Sequence, residues 1–457
     1  MSGANLTSQD FQPLQTRETA QQIPRPSLSY WADSWRRLKA NPRAMASLGL
    51  IGFLLAFVSI GPALWKVDPS AQDLEQIGIG PGADRKVILA APFTPWLPQP
   101  QSLMLADNAL GFTLATPANT QAVRLHWASE SGTRYRLYRN LFNPLDTGSF
   151  GLPLADLDRD YFEDRLDLQA GGYYYSLVRL DLQGQETATA VTRAVSVTRV
   201  ISIDEAKKRG LIGQEEEPEL GQVLELEWHP LGTDYLGRDM LARLMYGGQV
   251  SLFIGLFAPL AFVLLGVIYG SVAGFLGGAT DQAMMRFADF VVALPFLLFM
   301  ILFKVIFGIG PGESGIWPML VAMIILLWPA PARLVRGQIL QIREEGYVSA
   351  SRLLGGTTRY VVGRHMLPNT LGVILVTITF QVPSAIFTEA FLSFIGMGVA
   401  PPTPSWGAMC NEGIKSMLTR PHELLFPALL ISMTVLAFNL LGDGLRDALD
   451  ARMRGAE

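Results

Sequence analysis

Residues that could perform chemistry are sparse in this sequence of 457 residues. Its one cysteine, Cys410, excludes an intrachain disulfide. The segment HPLGTDYLGRD at 229–239 combines carboxylate, imidazole and guanidinium groups, but it offers no nucleophile, so a structural turn before a helix explains it better. The four histidines are scattered, without the short spacings typical of a metal site; they are His126, His229, His365 and His422.

The sequence also lacks a site for ATP. No phosphate-binding loop of the form G-x-x-x-x-G-K-[ST] occurs, since GPGESG at 310–315 has no lysine. We therefore predict that the chain is not an enzyme, that it binds no cofactor and no metal, and that any ATP used is hydrolysed by a separate protein.

The segment whose pattern most indicates a function is polar. It runs from 343 to 369 and reads REEGYVSASRLLGGTTRYVVGRHMLPN. Its pattern predicts an amphipathic helix, a glycine turn and a second short helix. The small residues SAS at 349–351 let another surface approach closely, and Gly355 permits a sharp change of direction. Pro368 favours the start of a new helix. We therefore predict that this segment docks on another protein.

Long apolar segments flank this loop and must position it. Only 17% of the residues are charged, against about 25% in soluble domains, and a bilayer core about 30 Å thick needs about 20 apolar helical residues. Asp289 is predicted to be interfacial, Lys304 to snorkel, and Lys304 and Glu389 to lie at the outer interface rather than line a substrate path. The predicted transmembrane helices lie at about 44–65, 249–276, 287–308, 315–335, 369–393 and 424–442.

Basic residues indicate the orientation of these helices. They cluster before the first helix, after the fourth and after the sixth, and the positive-inside rule places all three clusters in the cytoplasm. We predict a multi-pass protein of the cell membrane with both termini inside. A cytoplasmic tail and amphipathic helix would occupy 1–43, and an extracytoplasmic insertion 66–228. The clusters are Arg36, Arg37, Lys39 and Arg43; Arg333, Arg336, Arg343, Arg352, Arg359 and Arg364; and Arg446, Arg452 and Arg454.

The sequence pattern of the insertion predicts β-strands, unlike the apolar helical segments around it. Segments rich in Tyr, Val and Thr alternate with glycine turns, a spacing typical of an antiparallel β-sandwich. Trp127, the strand YRLYRN, the glycine turn before the tyrosines and DLQG make the region at about 100–198 similar to a fibronectin type III domain. Trp127 should lie in its core. Which residue among Tyr173, Tyr174 and Tyr175 would form the tyrosine corner is left open.

The polar loop resembles the coupling loop of ABC importer permeases, whose consensus is E-A-A, three residues, G, nine residues and I-x-L-P. SAS at 349–351, Gly355 and HMLP at 365–368 stand in that register, although Ser349, Ser351 and His365 differ from the consensus types. The resemblance implies that the loop, at 343–368, docks on an ATPase. The residues given this role are Glu345, Tyr347, Ser349, Ala350, Ser351, Arg352, Gly355, Leu367 and Pro368.

The remaining membrane segments are similar to permeases of the dipeptide, oligopeptide and nickel family, namely the subunit with an extra N-terminal span. The motifs are WRRLKANPRAMASLGL, HPLGTDYLGRDMLARLMYGGQVSLFIGL, MMRFADFVVALPFLL and TEAFLSFIGMGVAPPTPSWGAM. The likeness covers about 28–66 and 229–455, the second range being the permease core. It implies as partners a homologous permease, two ABC ATPase subunits that use ATP, an extracytoplasmic substrate-binding protein and the lipid bilayer, with no nucleic acid.

We therefore predict an α-helical polytopic membrane protein with six transmembrane helices, similar to a type I ABC importer permease, with an inserted extracytoplasmic β-sandwich. It would be a permease subunit of a bacterial importer of di- or oligopeptides, working by alternating access. One alternative is a nickel or other-solute permease, although no His or Met cluster favours metal. A membrane-anchored receptor or adhesion protein would need fewer spans, and a secondary transporter would show inverted repeats or paired intramembrane charges.

Overall fold

The computed structural model describes residues 29–96, 110–128, 132–181, 183–216, 218–307 and 314–449. The chain forms a helical unit, Met1–Ser70 with Ala242–Glu457, and an inserted unit, Ala71–Leu241. The predicted tail up to residue 28 lies outside the described residues. The helices are α1 (Tyr30–Ala40), α2 (Pro42–Leu64), α3 (Pro144–Thr147), α4 (Ile203–Lys208), α5 (Met240–Leu276), α6 (Gly278–Ala293), α7 (Phe296–Ile306), α8 (Ile316–Leu327), α9 (Pro329–Arg343), α10 (Gly346–Leu353), α11 (Thr358–Tyr360), α12 (Leu367–Phe394), α13 (Trp406–Gly413) and α14 (His422–Leu449). The strands are β1 (Lys86–Ala90), β2 (Thr113–Leu114), β3 (Val123–His126), β4 (Arg134–Asn140), β5 (Pro153–Leu157), β6 (Tyr161–Asp164), β7 (Gly171–Leu180), β8 (Glu186–Val197), β9 (Val200–Ser202) and β10 (Val223–Glu225).

Among the described residues, five helical segments are long and apolar enough to cross a membrane, and a bent pair, α6 with α7, makes a possible sixth. The helical unit is thus that of a polytopic membrane protein. Several segments extend beyond the predicted spans; α5, for instance, begins at Met240 rather than near 249. The five segments are Pro42–Leu64, Met240–Leu276, Ile316–Arg343, Thr358–Phe394 and His422–Leu449.

The third predicted span, 287–308, differs from the structure, because its described part is not one continuous helix. α6 and α7 meet at a bend of 81°. Pro295 explains the break, since proline offers no N–H and restricts the residue before it to extended conformations. Leu294 accordingly has φ −70° and ψ 124°.

Three glycines allow α5 and α9 to approach each other closely. Gly266, Gly270 and Gly274 are spaced by four residues and so share one side of α5. A Cβ atom at Gly270 would overlap the carbonyl oxygen of Ala332, and one at Gly274 would lie 3.0 Å from that of Arg336. Small residues at such spacing are typical of closely packed membrane helices.

The N-terminal helix is fastened to the end of the chain's last helix. Asn41 separates α1 from α2 and caps α2, since its Oδ1 accepts the N–H groups of Arg43 and Ala44 at 3.1 and 3.3 Å. Leu38 on α1 packs with Ala44 and Ala448 in a small buried cluster. The amphipathic pattern of α1 therefore buries one face against α2 and α14.

The described residues of the inserted unit form three sheets. One is antiparallel with the order β2-β3-β6, and a second is antiparallel with the order β5-β4-β7-β8. In the third, which we name the base sheet, β1 pairs antiparallel with β10 and parallel with β9. The first two sheets come from one continuous stretch of chain, and the strands of the base sheet flank that stretch.

Side chains from the first two sheets share one hydrophobic core. Trp127, which follows β3, is 0% exposed, so its predicted place in the core is confirmed. Its ring lies 5.9 Å from that of Tyr135 on β4 and 6.3 Å from that of Phe112. Burial of such large rings makes this core the main source of stability of the two sheets.

The structure distinguishes the tyrosines that open β7. The hydroxyl of Tyr173 accepts the backbone N–H of Gln169, four residues upstream, at 3.0 Å. Tyr175 is fully buried and donates its hydroxyl to Asp164 at 2.6 Å. Arg139 pairs with the same carboxylate at 2.9 Å, so the buried charge of Asp164 is compensated.

Candidate functional site

The polar loop at 343–368 folds into two short helices joined by a Schellman turn. The N–H of Gly356 donates to the carbonyl of Ser351, and the N–H of Gly355 donates to that of Arg352, both at 2.9 Å. Gly355 has φ +84°, in the left-handed region that favours glycine. A Cβ at Gly356 would lie 2.8 Å from the Ser351 oxygen. Both positions of this turn therefore require glycine.

The C-terminal end of α10 exposes apolar side chains. Leu353 and Leu354 are each 89% exposed. Ser349 and Ala350, one turn earlier, are exposed as well, whereas Ser351 is half-buried. Adjacent leucines so exposed in a polar segment are typical of a surface that contacts another protein or a membrane.

The inner face of the loop is attached to the ends of apolar helices. The guanidinium of Arg352 lies 4.4 Å from the ring centre of Phe275, near the end of α5. The hydroxyl of Tyr347 accepts a hydrogen bond at 3.1 Å from Asn369, in the first turn of α12. Only residues 344–345 separate α10 from α9. A force on the loop would therefore reach α5, α9 and α12.

The structure places the other predicted loop residues around this turn. Glu345 is exposed and is the N-cap of α10, without a side-chain capping bond. Pro368 is exposed and Leu367 is half-buried, both in the first turn of α12. His365, which replaces the consensus isoleucine, has its ring 5.4 Å from that of Tyr360. The predicted set is thus brought together on one loop.

Sequence reasoning missed three residues of this site. Leu353 and Leu354 form its exposed tip, and Gly356 completes its turn. The signal was available, since LLGG places an apolar pair directly before two glycines in an otherwise polar segment.

Two ion pairs join α6, the first helix of the bent pair, to α9, the helix that leads into the loop. Asp281 and Arg336 form a two-pronged pair at 2.5 Å. Asp289, predicted to be interfacial, pairs with Arg333 at 2.7 Å and keeps half of its side chain exposed. The first helix of the bent pair is therefore fastened to the same helix as the loop.

Glu389, predicted to lie at the outer interface, is near the C-terminal end of α12 and is 0% exposed within the helical unit. Its carboxylate accepts the hydroxyls of Ser251 on α5 and Ser393 on α12, each at 2.8 Å. The Ser251 oxygen in turn accepts the N–H of Trp406 at 3.2 Å. Glu389 thus links α5, α12 and the start of α13. Lys304 donates to the carbonyl of Gly396 at 3.0 Å.

The segment at 229–239 forms a compact polar turn within the inserted unit. His229 contacts Asp239 at 2.7 Å and lies 3.9 Å from Asp73. Burial alone would lower the pKa of His229, but the two carboxylates outweigh it and raise that pKa to about 9. Asp234 accepts the backbone N–H of Arg238 and pairs with its guanidinium at 2.7 Å. These internal contacts agree with a structural turn.

Comparison with known proteins matches the helical unit in two places. Residues 266–455 match the family described as binding-protein-dependent transport system inner membrane component. Residues 29–81 match the N-terminal TM domain of oligopeptide transport permease C. The two sheets of the sandwich lie outside both matches.

Individual relatives agree with these matches. The oligopeptide transport system permease protein OppC of Bacillus subtilis (strain 168) is 47% identical over 226 residues, which are 50% of this chain and 72% of the relative. The dipeptide transport system permease protein DppC of the same organism is 48% identical over 227 residues, 50% of this chain and 69% of the relative. A chain of the MetNI methionine ABC transporter, in an inward facing conformation, is 17% identical with a TM-score of 0.39 and covers 46% of this chain and 98% of its own length.

The bundle of apolar helices with its polar loop defines a membrane component of a transport system. More particularly, the chain belongs to the oligopeptide and dipeptide permease family of ABC transporters. It is accordingly a multi-pass protein of the inner membrane. Permeases of this family are not themselves enzymes and work with ATPase subunits and a substrate-binding protein. Family membership thus favours a permease over a receptor or a secondary transporter.

Proposed function

We propose that this chain is the membrane-spanning permease subunit of an ATP-driven importer of di- and oligopeptides. Substrate passes between this permease and a homologous one by alternating access. The names of the relatives, an oligopeptide and a dipeptide permease, support the substrate class. Uptake of a labelled dipeptide, competed by unlabelled peptide and not by nickel, tests it against the metal alternative.

The energy comes from two separate ATPase subunits that dock on the loop at 343–368, and an extracytoplasmic binding protein delivers the substrate. This chain binds no cofactor itself. The observation that supports the proposal most is the shape of the loop: an apolar tip at Leu353 and Leu354, 89% exposed, on a base attached to the ends of α5, α9 and α12. When ATP binding closes the ATPases, they push the tip, and the attached helices reorient.

A double variant tests the docking surface. Leu353→Asp with Leu354→Asp places charge on the apolar tip, where desolvation at a protein interface is costly. The variant should reach the membrane at a normal level but lose copurifying ATPase subunits and peptide uptake. Leu418→Asp is the matched control, because Leu418 is equally exposed, at 93%, and lies outside the loop. Normal copurification and uptake in the double variant would refute the docking role.

We further propose that both termini and the loop are cytoplasmic and that residues 66–228 are extracytoplasmic. The distribution of Arg and Lys supports this orientation. Single cysteines at Gln183 and at Arg352, both exposed, distinguish the two sides. An impermeant thiol reagent added outside should label position 183 and not position 352, and the reverse pattern would exclude the orientation.

The sandwich within the insertion is proposed to be a fibronectin type III-like domain. Its two sheets, β2-β3-β6 and β5-β4-β7-β8, its shared core around Trp127 and the contact of Tyr173 with the backbone of Gln169 support this assignment. Circular dichroism of the inserted unit, expressed alone as residues 71–241, should show a β-rich spectrum. A disordered or helical spectrum would reject the assignment.

A further inference from the structure

The loop between β4 and β5 carries large apolar side chains that no described residue of the inserted unit covers fully. Leu141, Phe142, Leu145 and Leu152 are 53%, 75%, 75% and 89% exposed. We name residues 141–152 the apolar loop. The sandwich buries Trp127, Tyr135 and Tyr175 in a well-formed core, so the exposure of these four side chains does not reflect the lack of a core.

The apolar loop is built to hold these side chains outward. Asn143 caps α3 by accepting the N–H of Leu145 at 3.2 Å, and Gly148 ends that short helix in the left-handed conformation. The side chain of Asn140 donates to the carbonyl of Phe150 at 3.1 Å. The Phe150 ring stacks on Tyr138, with centres 5.3 Å apart. These contacts fix both arms of the loop and leave its leucines free.

Strand register shows at which end of the sandwich the apolar loop lies. Asn140, the last residue of β4, is opposite Tyr174 near the start of β7. Gly171, the first residue of β7, is opposite Val197, the last residue of β8. From Val197 the chain passes directly into β9 of the base sheet. The apolar loop therefore leaves the sandwich at the end that adjoins the base sheet.

The base sheet is also where the inserted unit connects to the membrane-spanning helices. β1 is the first strand after α2, and β10 is the last before α5. Only residues 65–70 separate α2 from the inserted unit, and six extended residues reach about 21 Å at most. α5 begins within the inserted unit itself. Both connections to the membrane-spanning helices therefore leave the inserted unit next to the strands of the base sheet.

We propose that the apolar loop contacts the bilayer, with Leu141, Phe142, Leu145 and Leu152 inserted at the level of the lipid headgroups and upper acyl chains. This contact anchors the inserted unit on the membrane surface, on whichever side that unit lies, and so goes beyond the transport function. Segments that rest in the membrane interface present Leu, Phe and Trp. Hot spots of protein interfaces are instead enriched in Tyr, Trp and Arg and depleted in Leu. The loop contains three leucines, two phenylalanines and one charged residue, Asp146, a composition that favours lipid.

Fluorescence quenching of the full chain in liposomes tests the contact. Phe142→Cys is labelled with an environment-sensitive fluorophore, and Gln183→Cys is the matched control, exposed in the turn at the opposite end of the sandwich. The native Cys410 is only 8% exposed, and the chain without an added cysteine serves as the blank. Lipids with a nitroxide high on the acyl chain report contact with the bilayer, and iodide reports contact with water.

The label at position 142 should be blue-shifted, quenched by the nitroxide lipid and shielded from iodide, whereas the label at 183 should behave in the opposite way. Adding Leu145→Asp and Leu152→Asp to the Phe142→Cys chain should return its label to water. Equal iodide quenching at 142 and 183 would overturn the proposal. Shielding of position 142 from both quenchers would also overturn it, since a protein rather than lipid would then cover the loop.

Discussion

The turn of the polar loop is the most specific target for mutation. At Gly355, φ is +84° and no atom lies within 4 Å of the position that a Cβ would take, so a side chain would be strained by the backbone without colliding with its surroundings. A β-branched residue held in the left-handed region costs about 1–3 kcal/mol, equivalent to a change of about 5- to 150-fold in the equilibrium constant for forming the native turn. Gly355→Val should therefore lower ATP-driven peptide uptake by at least about fivefold, with normal insertion of the spans.

A graded series separates backbone strain from side-chain size. Asn tolerates the left-handed conformation better than Ala, and Ala better than Val. Uptake by reconstituted liposomes should thus decrease in the order Gly355, Asn, Ala, Val. Gly363→Val is the control, because Gly363 has equally open space but lies in the π-helical turn Val361–Met366. Equal uptake by the Asn and Val variants, or an equal loss in the control, would refute the argument from φ.

Three further variants test the packing and the charges of the two units. The pKa of His229 is raised from 6.5 to about 9 in the folded protein, so its contribution of about 3 kcal/mol is complete below about pH 6.5 and is lost as the pH rises through about 9. Denaturant unfolding of the inserted unit should show this loss for the native chain and not for His229→Gln, and equal curves would contradict it. Trp127→Ala should cost about 3–5 kcal/mol in the same assay, whereas Trp228→Ala, at a residue 54% exposed, should cost little. Gly270→Ala should lower the thermal stability of the purified chain, because its Cβ would overlap the α9 backbone. Gly52→Ala, with open space around it, should be neutral or stabilising, since Ala favours helix over Gly by about 1 kcal/mol, and equal effects of the two would contradict the close approach.

The apolar helices could be predicted from the sequence because the bilayer imposes a length and a composition on every span. The core position of Trp127 was predicted from the resemblance of the insertion to a fibronectin type III domain. The bend before Pro295 was missed, since the apolar composition continues through it while a single proline sets the local conformation.

Contacts between residues far apart in the chain could not be predicted from the sequence. The buried carboxylate of Glu389, for example, accepts the hydroxyl of Ser251, which is 138 positions away in the sequence. No periodic pattern specifies which helices become neighbours. The register of the loop residues was predicted through Gly355 and Pro368. The apolar tip was missed although LLGG signals it, because the sequence alone does not give the exposed fraction of Leu353 and Leu354.

Photo-crosslinking from the loop tests the central claim most directly. A photoreactive amino acid replaces Leu354 in one chain and Leu418, which is equally exposed, in another. Each chain is irradiated in native membranes, and its adducts are identified by mass spectrometry. Docking of separate ATPases on the loop predicts an ATPase adduct from position 354 and none from position 418. Absence of an ATPase adduct from position 354, in membranes where the chain transports peptide, would contradict it.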